Sequence, residues 1–337
     1  MRTLIALVLT AALAACGGQS DTPSSTPASC PATGYAGSAA TLAADQLVFD
    51  SDRAGGTHEI YVMKTDGTSV TRLTNDASYQ NWWPRVSPDR KRILFYRAPA
   101  ANPESYPDAS LWMMNADGSG LRQLRARGED GWSAQGHGEW SPDGTKIAMF
   151  GSVGSALEIF VTNACGKNPV QYTNRGGINT DVSWSPNGQQ LLFNGCPSAT
   201  GCVPANYEIY LMPATPLAAA TRITADARAD YDAYFSPSGN TIAWLINVDP
   251  TANVIPGTTT ALGRWAIGMV DINSSGVLSN PRFLINDGNI NSKPAWSLDG
   301  QTIFFHRMVP PDYRFRVFRI APNGTGLTEL TPGATGN

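Results

Sequence analysis

One phrase recurs down this chain, and few folds accommodate such recurrence. It runs Trp83-Pro-Arg-Val-Ser-Pro-Asp-Arg-Lys-Arg-Ile93-Leu-Phe95 and returns as Glu139-Trp140-Ser-Pro-Asp-Gly-Thr-Lys-Ile147-Ala-Met149. Further copies begin at Ser183, Tyr234 and Ala295, each carrying an aromatic, a serine turn and an apolar triplet. A sixth is half erased: Leu47-Val-Phe49 keeps the triplet without the Ser-Pro turn. Successive turn serines lie 44 to 61 residues apart. Periods of this size mark solenoids, propellers or arrays.

Each unit reads as β structure. In Ser-Pro-Asp-Gly, proline presets φ and glycine accepts positive φ, so the phrase joins two antiparallel strands, A and B. A third strand, C, follows at 58–63, 111–114, 157–161 and 207–212. After a second glycine turn, such as Asp66-Gly67 or Asn323-Gly324, a short strand D ends in Leu-Thr or a relative, as at Leu73-Thr74. Four antiparallel strands repeated six times predict an all-β chain, a six-bladed β-propeller. Hydrophobic residues make up 42% of the 337, enough to build a core, and the net charge of −3 gives no basic footprint for nucleic acid.

Trp-Ser-Pro-Asp-Gly with Ile-Ala-Met, then Glu-Ile-Tyr-Val-Met, Asp-Gly and Arg-Leu-Thr, resembles the WD40-like PD40 repeat of TolB-type propellers. The stretch from Phe49 to Met63 is especially similar, and the resemblance covers about residues 40–331. TolB itself carries an α/β domain ahead of its propeller. Here about 30 residues separate Cys16 from the first blade, so the expectation is a TolB-like propeller lacking that domain, not TolB. TolB's link to the Tol energising machinery is not carried over.

The N-terminus suggests an address. Arg2 precedes an apolar run ending in Leu13-Ala14-Ala15-Cys16, which resembles the lipobox of bacterial lipoproteins. This implies a signal peptide at 1–15, acylation of Cys16, and a Gly/Ser/Thr/Pro-rich tether through residue 35. The propeller would occupy 36–337. Gly17, where an aspartate would favour inner-membrane retention, points to the outer membrane with the domain facing the periplasm, surface display remaining open.

Alternation of strand direction puts the short A–B and C–D turns on one face. The long connectors 98–110, 126–138, 195–206 and 247–263 fall on the other, where binding usually resides. Strand A should line the tunnel. Six residues before the turn serines stand Asn81, Gln135, Asn179, Asp230 and Asn291; four before stand Trp83, His137, Asp181, Asp232 and Lys293. Positions two apart share a strand face, so these ten predict a polar ring at the tunnel mouth above a mixed layer. The ring could be solvated channel wall. It could also dock a protein or peptide segment from the envelope, as TolB-type propellers receive partners, with the chain a monomer. A third reading is a metal site from His137, Glu139, Asp181 and Asp232, whose oxygen-rich set would suit Ca²⁺. The aromatics Trp140, Trp184, Phe235 and Trp296 are expected between blades.

Cys196 and Cys202 bracket five residues and predict a local disulfide worth about 2 kcal/mol. Cys30 and Cys165 are left as a pair or as free thiols. No Gly-x-Ser-x-Gly elbow, His-Glu-x-x-His or P-loop occurs, and no catalytic residue is assigned. The expectation is a non-catalytic binding module without a resident cofactor. The alternative is a metal-assisted oligogalacturonate-type lyase or a sugar-binding propeller, since such lyases carry related repeats.

Overall fold

The protein is described from a computed structural model covering residues 40–102, 105–196, 202, 207–226, 228–254, 261–309 and 314–331. Among these residues, twenty-three strands form six consecutive units. Blade 1 holds β1 (Gln46–Ser51), β2 (Glu59–Lys64) and β3 (Thr71–Arg72). Blade 2 holds β4 (Tyr79–Val86), β5 (Arg92–Pro99), β6 (Ser110–Asn115) and β7 (Arg122–Arg125). Blade 3 holds β8 (Gln135–Trp140), β9 (Lys146–Val153), β10 (Ala156–Asn163) and β11 (Val170–Gln171). Blade 4 holds β12 (Ile178–Trp184), β13 (Gln190–Cys196), β14 (Glu208–Pro213) and β15 (Thr221–Arg222). Blade 5 holds β16 (Asp230–Phe235), β17 (Thr241–Asp249), β18 (Arg264–Ile272) and β19 (Leu278–Ile285). Blade 6 holds β20 (Ile290–Trp296), β21 (Ile303–Val309), β22 (Arg314–Ile320) and β23 (Thr328–Glu329). The chain is a six-bladed β-propeller. The leader and tether lie outside the described residues.

The serine turns form for a visible reason. In each, the fourth residue's N–H bonds back to the serine carbonyl, as Gly144 does to Ser141 at 2.8 Å. The serine hydroxyl also donates to the turn's acidic or amide side chain and accepts the N–H that opens strand B. Ser141 does both, to Asp143 at 2.6 Å and from Lys146 at 2.9 Å.

The core is six wedges rather than one central mass. Trp82, Leu94 and Met113 meet Trp140, Ile147 and Met149 between blades 2 and 3. Corresponding clusters fill seams 3–4, 4–5 and 5–6. Ile60 meets Ile93 and Phe95 between blades 1 and 2. Phe49, Tyr61 and Met63 meet Val317 and Leu330 between blades 1 and 6, which closes the ring. Trp140 and Phe235 are buried in such seams, and Trp184 and Trp296 pack against them.

The repeat's polar residues also serve the seams. Glu59 accepts from Thr74, from Asn81 of blade 2 at 2.9 Å, from Arg72 at 2.9 Å and from the Asp76 N–H at 2.8 Å. Glu158 takes Thr173, Asn179 of blade 4, and the N–H groups of Arg175 and Gly176. Glu208 takes Thr224 and Arg222. Each of these threonines also accepts the N–H following its glutamate, at 2.8–2.9 Å. The Glu-Ile and Leu-Thr parts of the repeat are therefore a clasp, which satisfies buried carboxylates as their burial requires.

Outer strands are short: β3, β11, β15 and β23 have two residues each, and β7 has four. β19 has eight, interrupted by Pro281 and by Asn280 at φ 52.

Candidate functional site

The inner strands β4, β8, β12, β16 and β20 touch one another in succession, and β1 touches β4. All five share one irregularity. In β4, Trp82 pairs with Tyr96 and Arg85 with Leu94, so Trp83 and Pro84 together oppose Phe95. The same shift recurs between Gly136 and Glu139, Thr180 and Ser183, Tyr231 and Tyr234, and Ser292 and Ala295. Two residues against one is a β-bulge. Its first member is left-handed in every copy: Trp83, His137, Asp181, Asp232 and Lys293 have φ between 50 and 59. Left-handed φ is uncommon in tryptophan, histidine and lysine, and strain of this kind collects at functional sites.

The bulge splits the ten residues expected at the tunnel mouth. Asn81 and Arg85 pair with Arg97 and Leu94, which lie on opposite faces of β5, so two-residue alternation does not carry across. The outer five, Asn81, Gln135, Asn179, Asp230 and Asn291, are buried in the seams. There Asn81 and Asn179 bond glutamates of the preceding blade. Gln135 donates to the Ala109 and Ala126 carbonyls, and Asn291 to that of Trp265. They do not form the outer ring that simple alternation implies.

The bulged five do converge. Trp83 stacks on His137 with centroids 4.1 Å apart and planes 11° from parallel. Lys293 Nζ lies 5.3 Å from the Trp83 ring and 3.6 Å from Asp50 Oδ1. Blades 6, 1, 2 and 3 can meet this way only at the axis. Arg85 lies over Trp83 at 4.7 Å, pairs with Glu139 through Nε at 2.6 Å, and donates through Nη2 to the Tyr234 hydroxyl. Blades 2 and 5 are opposite in a ring of six, so Arg85 bars the hub from side to side. From sequence, Arg85 and Tyr234 stand two residues before a turn serine and read only as part of the tunnel-lining strand A, not as partners. Tyr106, from the connector between β5 and β6, packs edge-on against His137 and hydrogen-bonds its Nε2.

The hub's electrostatics follow from burial. His137 is held well below the ordinary histidine value, first by burial and then by Arg85 and Lys293. The Tyr106 hydroxyl hydrogen-bonds Nε2, and Nδ1 lies against Asp181. Burial opposes ionisation of Asp50, but Lys293, His58 and His306 outweigh it and hold its carboxyl below the usual range. Burial raises Glu139 and Asp232, with Arg85 opposing at both and Lys293 at Asp232. Asp232 is 8% exposed and makes no hydrogen bond or ion pair among the described residues.

The metal reading gains no support from this arrangement. Glu139 is taken by Arg85, and Asp181 lies against His137. Among the described residues, no group of three or more His, Cys, Asp and Glu side chains is gathered to hold an ion. Of the histidines, His58 and His306 lie near Asp50, whereas His137 stands beside Trp83 and Asp181. Cys196 and Cys202 are bonded to each other, and Cys165 is also in a disulfide; Cys30, the pairing left open from sequence, lies outside the described residues.

No family model matches the chain. An uncharacterised protein, Atu1656, of Agrobacterium fabrum is 32% identical over 107 residues, covering 30% of this chain and 34% of that protein. The match thus spans about a third of that relative's length. TolB from Acinetobacter baumannii superposes with a TM-score of 0.63 at 16% identity, covering 85% of this chain and 63% of that one, just under two thirds of its length. A candidate TolB from Agrobacterium tumefaciens superposes with a TM-score of 0.58 at 17% identity, covering 78% and 84%. Identities this low carry the fold alone, and in fold the chain is a TolB-like six-bladed β-propeller.

Proposed function

We propose that this propeller is a non-catalytic docking module of the bacterial cell envelope, receiving a segment of an envelope protein or peptide at its hub. The observation carrying this reading is the repeated bulge, which turns Trp83, His137, Asp181, Asp232 and Lys293 towards one axis at the expense of backbone strain in five strands. Asp232 adds to it, being a buried carboxylate with no donor among the described residues. A partner segment bringing an N–H or O–H group would satisfy it. Trp83 supplies the aromatic anchor that docking sites favour. Approach is from the face of the long connectors.

The lipobox at Cys16 would hold the chain by acyl groups at the outer membrane, facing the periplasm. No helix among the described residues is long and apolar enough to cross a membrane. Metabolic labelling with a fatty acid should mark the wild type and not Cys16→Ser; equal labelling removes the anchor from the proposal.

The docking test is capture of a cross-linked partner from envelope extracts, followed by titration with that partner. Trp83→Ala and Asp232→Asn should each weaken binding by about 2 kcal/mol, roughly thirtyfold. Asp117→Ala, in a turn on the opposite face, should leave it unchanged. Loss confined to Asp117→Ala would reverse the face, and unchanged binding in all three would remove the hub as the docking place.

A further inference from the structure

Six residues before the turn serine, blades 2, 3, 4 and 6 carry Asn81, Gln135, Asn179 and Asn291, and each amide donates to the preceding blade. Blade 5 carries Asp230. An ionised carboxylate accepts hydrogen bonds and donates none. Asp230 Oδ1 takes the Trp244 Nε1–H of its own blade at 3.0 Å. Among the described residues its Oδ2 is buried with no hydrogen-bond partner. The seam is otherwise regular: the Asp230 N–H reaches the Tyr207 carbonyl at 2.9 Å, as Asn81 N–H reaches His58 at 2.8 Å.

Across the seam stands Glu208, the counterpart of the glutamates that receive Asn81 and Asn179. Asp230 and Glu208 are 1% and 3% exposed. Glu208 is held by Thr224 and by Arg222, whose side chain is 46% exposed. Asp226 adds a further negative charge, and the exposed Arg228 is turned to Asp226. Tyr207 and Tyr231 complete the surroundings, both kept protonated by burial. Asp230 therefore stands where Asn81 and Asn179 set an amide against a glutamate, with the negative charge of Glu208 acting on it, and buried like charges are strongly unfavourable.

We propose that the seam between blades 4 and 5 is closed by a proton carried on Asp230, which lets its carboxyl donate where the other seams use an amide, so that this seam loosens when the proton leaves. The inference is independent of the docking reading. Burial raises the Asp230 carboxyl to about 7; the neighbouring Thr224 and Trp244 donor groups oppose the rise, and Asp226 and Glu208 add to it. A raised value means the folded chain holds this proton more tightly than the unfolded chain. The stabilisation is complete in acid and is lost as the pH climbs through about 7.

The test compares the full chain with Asp230→Asn, whose amide donates at any pH. Thermal midpoints should coincide near pH 5, and the variant should melt several degrees higher at pH 8. Glu139 and Asp232, also raised by burial, are present in both proteins and cancel in the difference. Hydrogen exchange supplies a second readout. After correction for the intrinsic rate, opening at the Asp230 amide relative to the Asn81 amide should rise on the order of tenfold from pH 6 to pH 8 in the wild type, following loss of the protonated form. It should stay level in Asp230→Asn. Parallel melting curves with an unchanged exchange ratio would overturn the proposal.

Discussion

Glu158→Ala should lower the free energy of unfolding by roughly 3–5 kcal/mol. The side chain is 1% exposed and takes four donors from two blades: Thr173, Asn179, and the N–H groups of Arg175 and Gly176. Alanine removes every acceptor and leaves the two loop N–H groups unsatisfied, while the Asn179 amide keeps the Leu157 and Gly176 carbonyls. The Thr173 oxygen would still hold the Ile159 N–H at 2.8 Å, which limits collapse of the strands. Glu158→Gln is no rescue, since one of its two ends would then present hydrogens to hydrogens. Glu208→Ala is the internal comparison. Glu208 has two side-chain donors, one on the half-exposed Arg222, so about 1–2 kcal/mol is expected. Urea unfolding at pH 7 measures all three. A Glu158→Ala loss under 1 kcal/mol would mean that the clasp is ornamental and the apolar wedges alone hold the seams.

The second large effect concerns ring closure. Gly67, at φ 89 in the turn after β2, backs directly onto Leu330 of blade 6, and a methyl there would overlap the Leu330 carbonyl oxygen. That oxygen belongs to backbone that cannot swing aside. Gly67→Ala should therefore destabilise by about 2–4 kcal/mol, combining left-handed strain with displacement of the closing wedge. Gly55→Ala separates the two contributions, since Gly55 has φ 81 and nothing within 4 Å of an added methyl. It should lose only the strain, about 1–2 kcal/mol. Equal losses in the two variants would show that blades 1 and 6 are not pressed together at this point.

The blades were legible because their punctuation is chemical. Ser87, Ser141, Ser185, Ser236 and Ser297 each organise a turn with their own hydroxyl, so the same letters return wherever the same bend is needed. The half-erased first blade was found from Leu47-Val-Phe49 together with the strand C and Leu-Thr phrases that follow it. The hub was harder. Alternation placed Asn81 and Trp83 on one face, and it failed at a bulge whose left-handed position is never glycine. Trp83, His137 and Lys293 are poor residues for positive φ, so no local preference marks the site; only register against the next strand does. The polar letters Glu59, Glu158, Glu208, Thr74, Thr173 and Thr224 did repeat inside otherwise apolar strands. They read from sequence only as marks of the repeat, because their partners lie 14–16 residues away and spacing alone does not match them.

The unequal outer strands bear on how such molecules behave when crowded. A rim strand of two residues gives a neighbouring chain almost nothing to pair with, whereas β19 offers eight. Pro281 withholds one N–H from that edge, and Asn280 twists the backbone just ahead of it. Those two residues are thus the guard on the longest outward ladder among the described strands, and replacing them with strand-forming residues would turn blade 5 into a nucleus for end-to-end stacking.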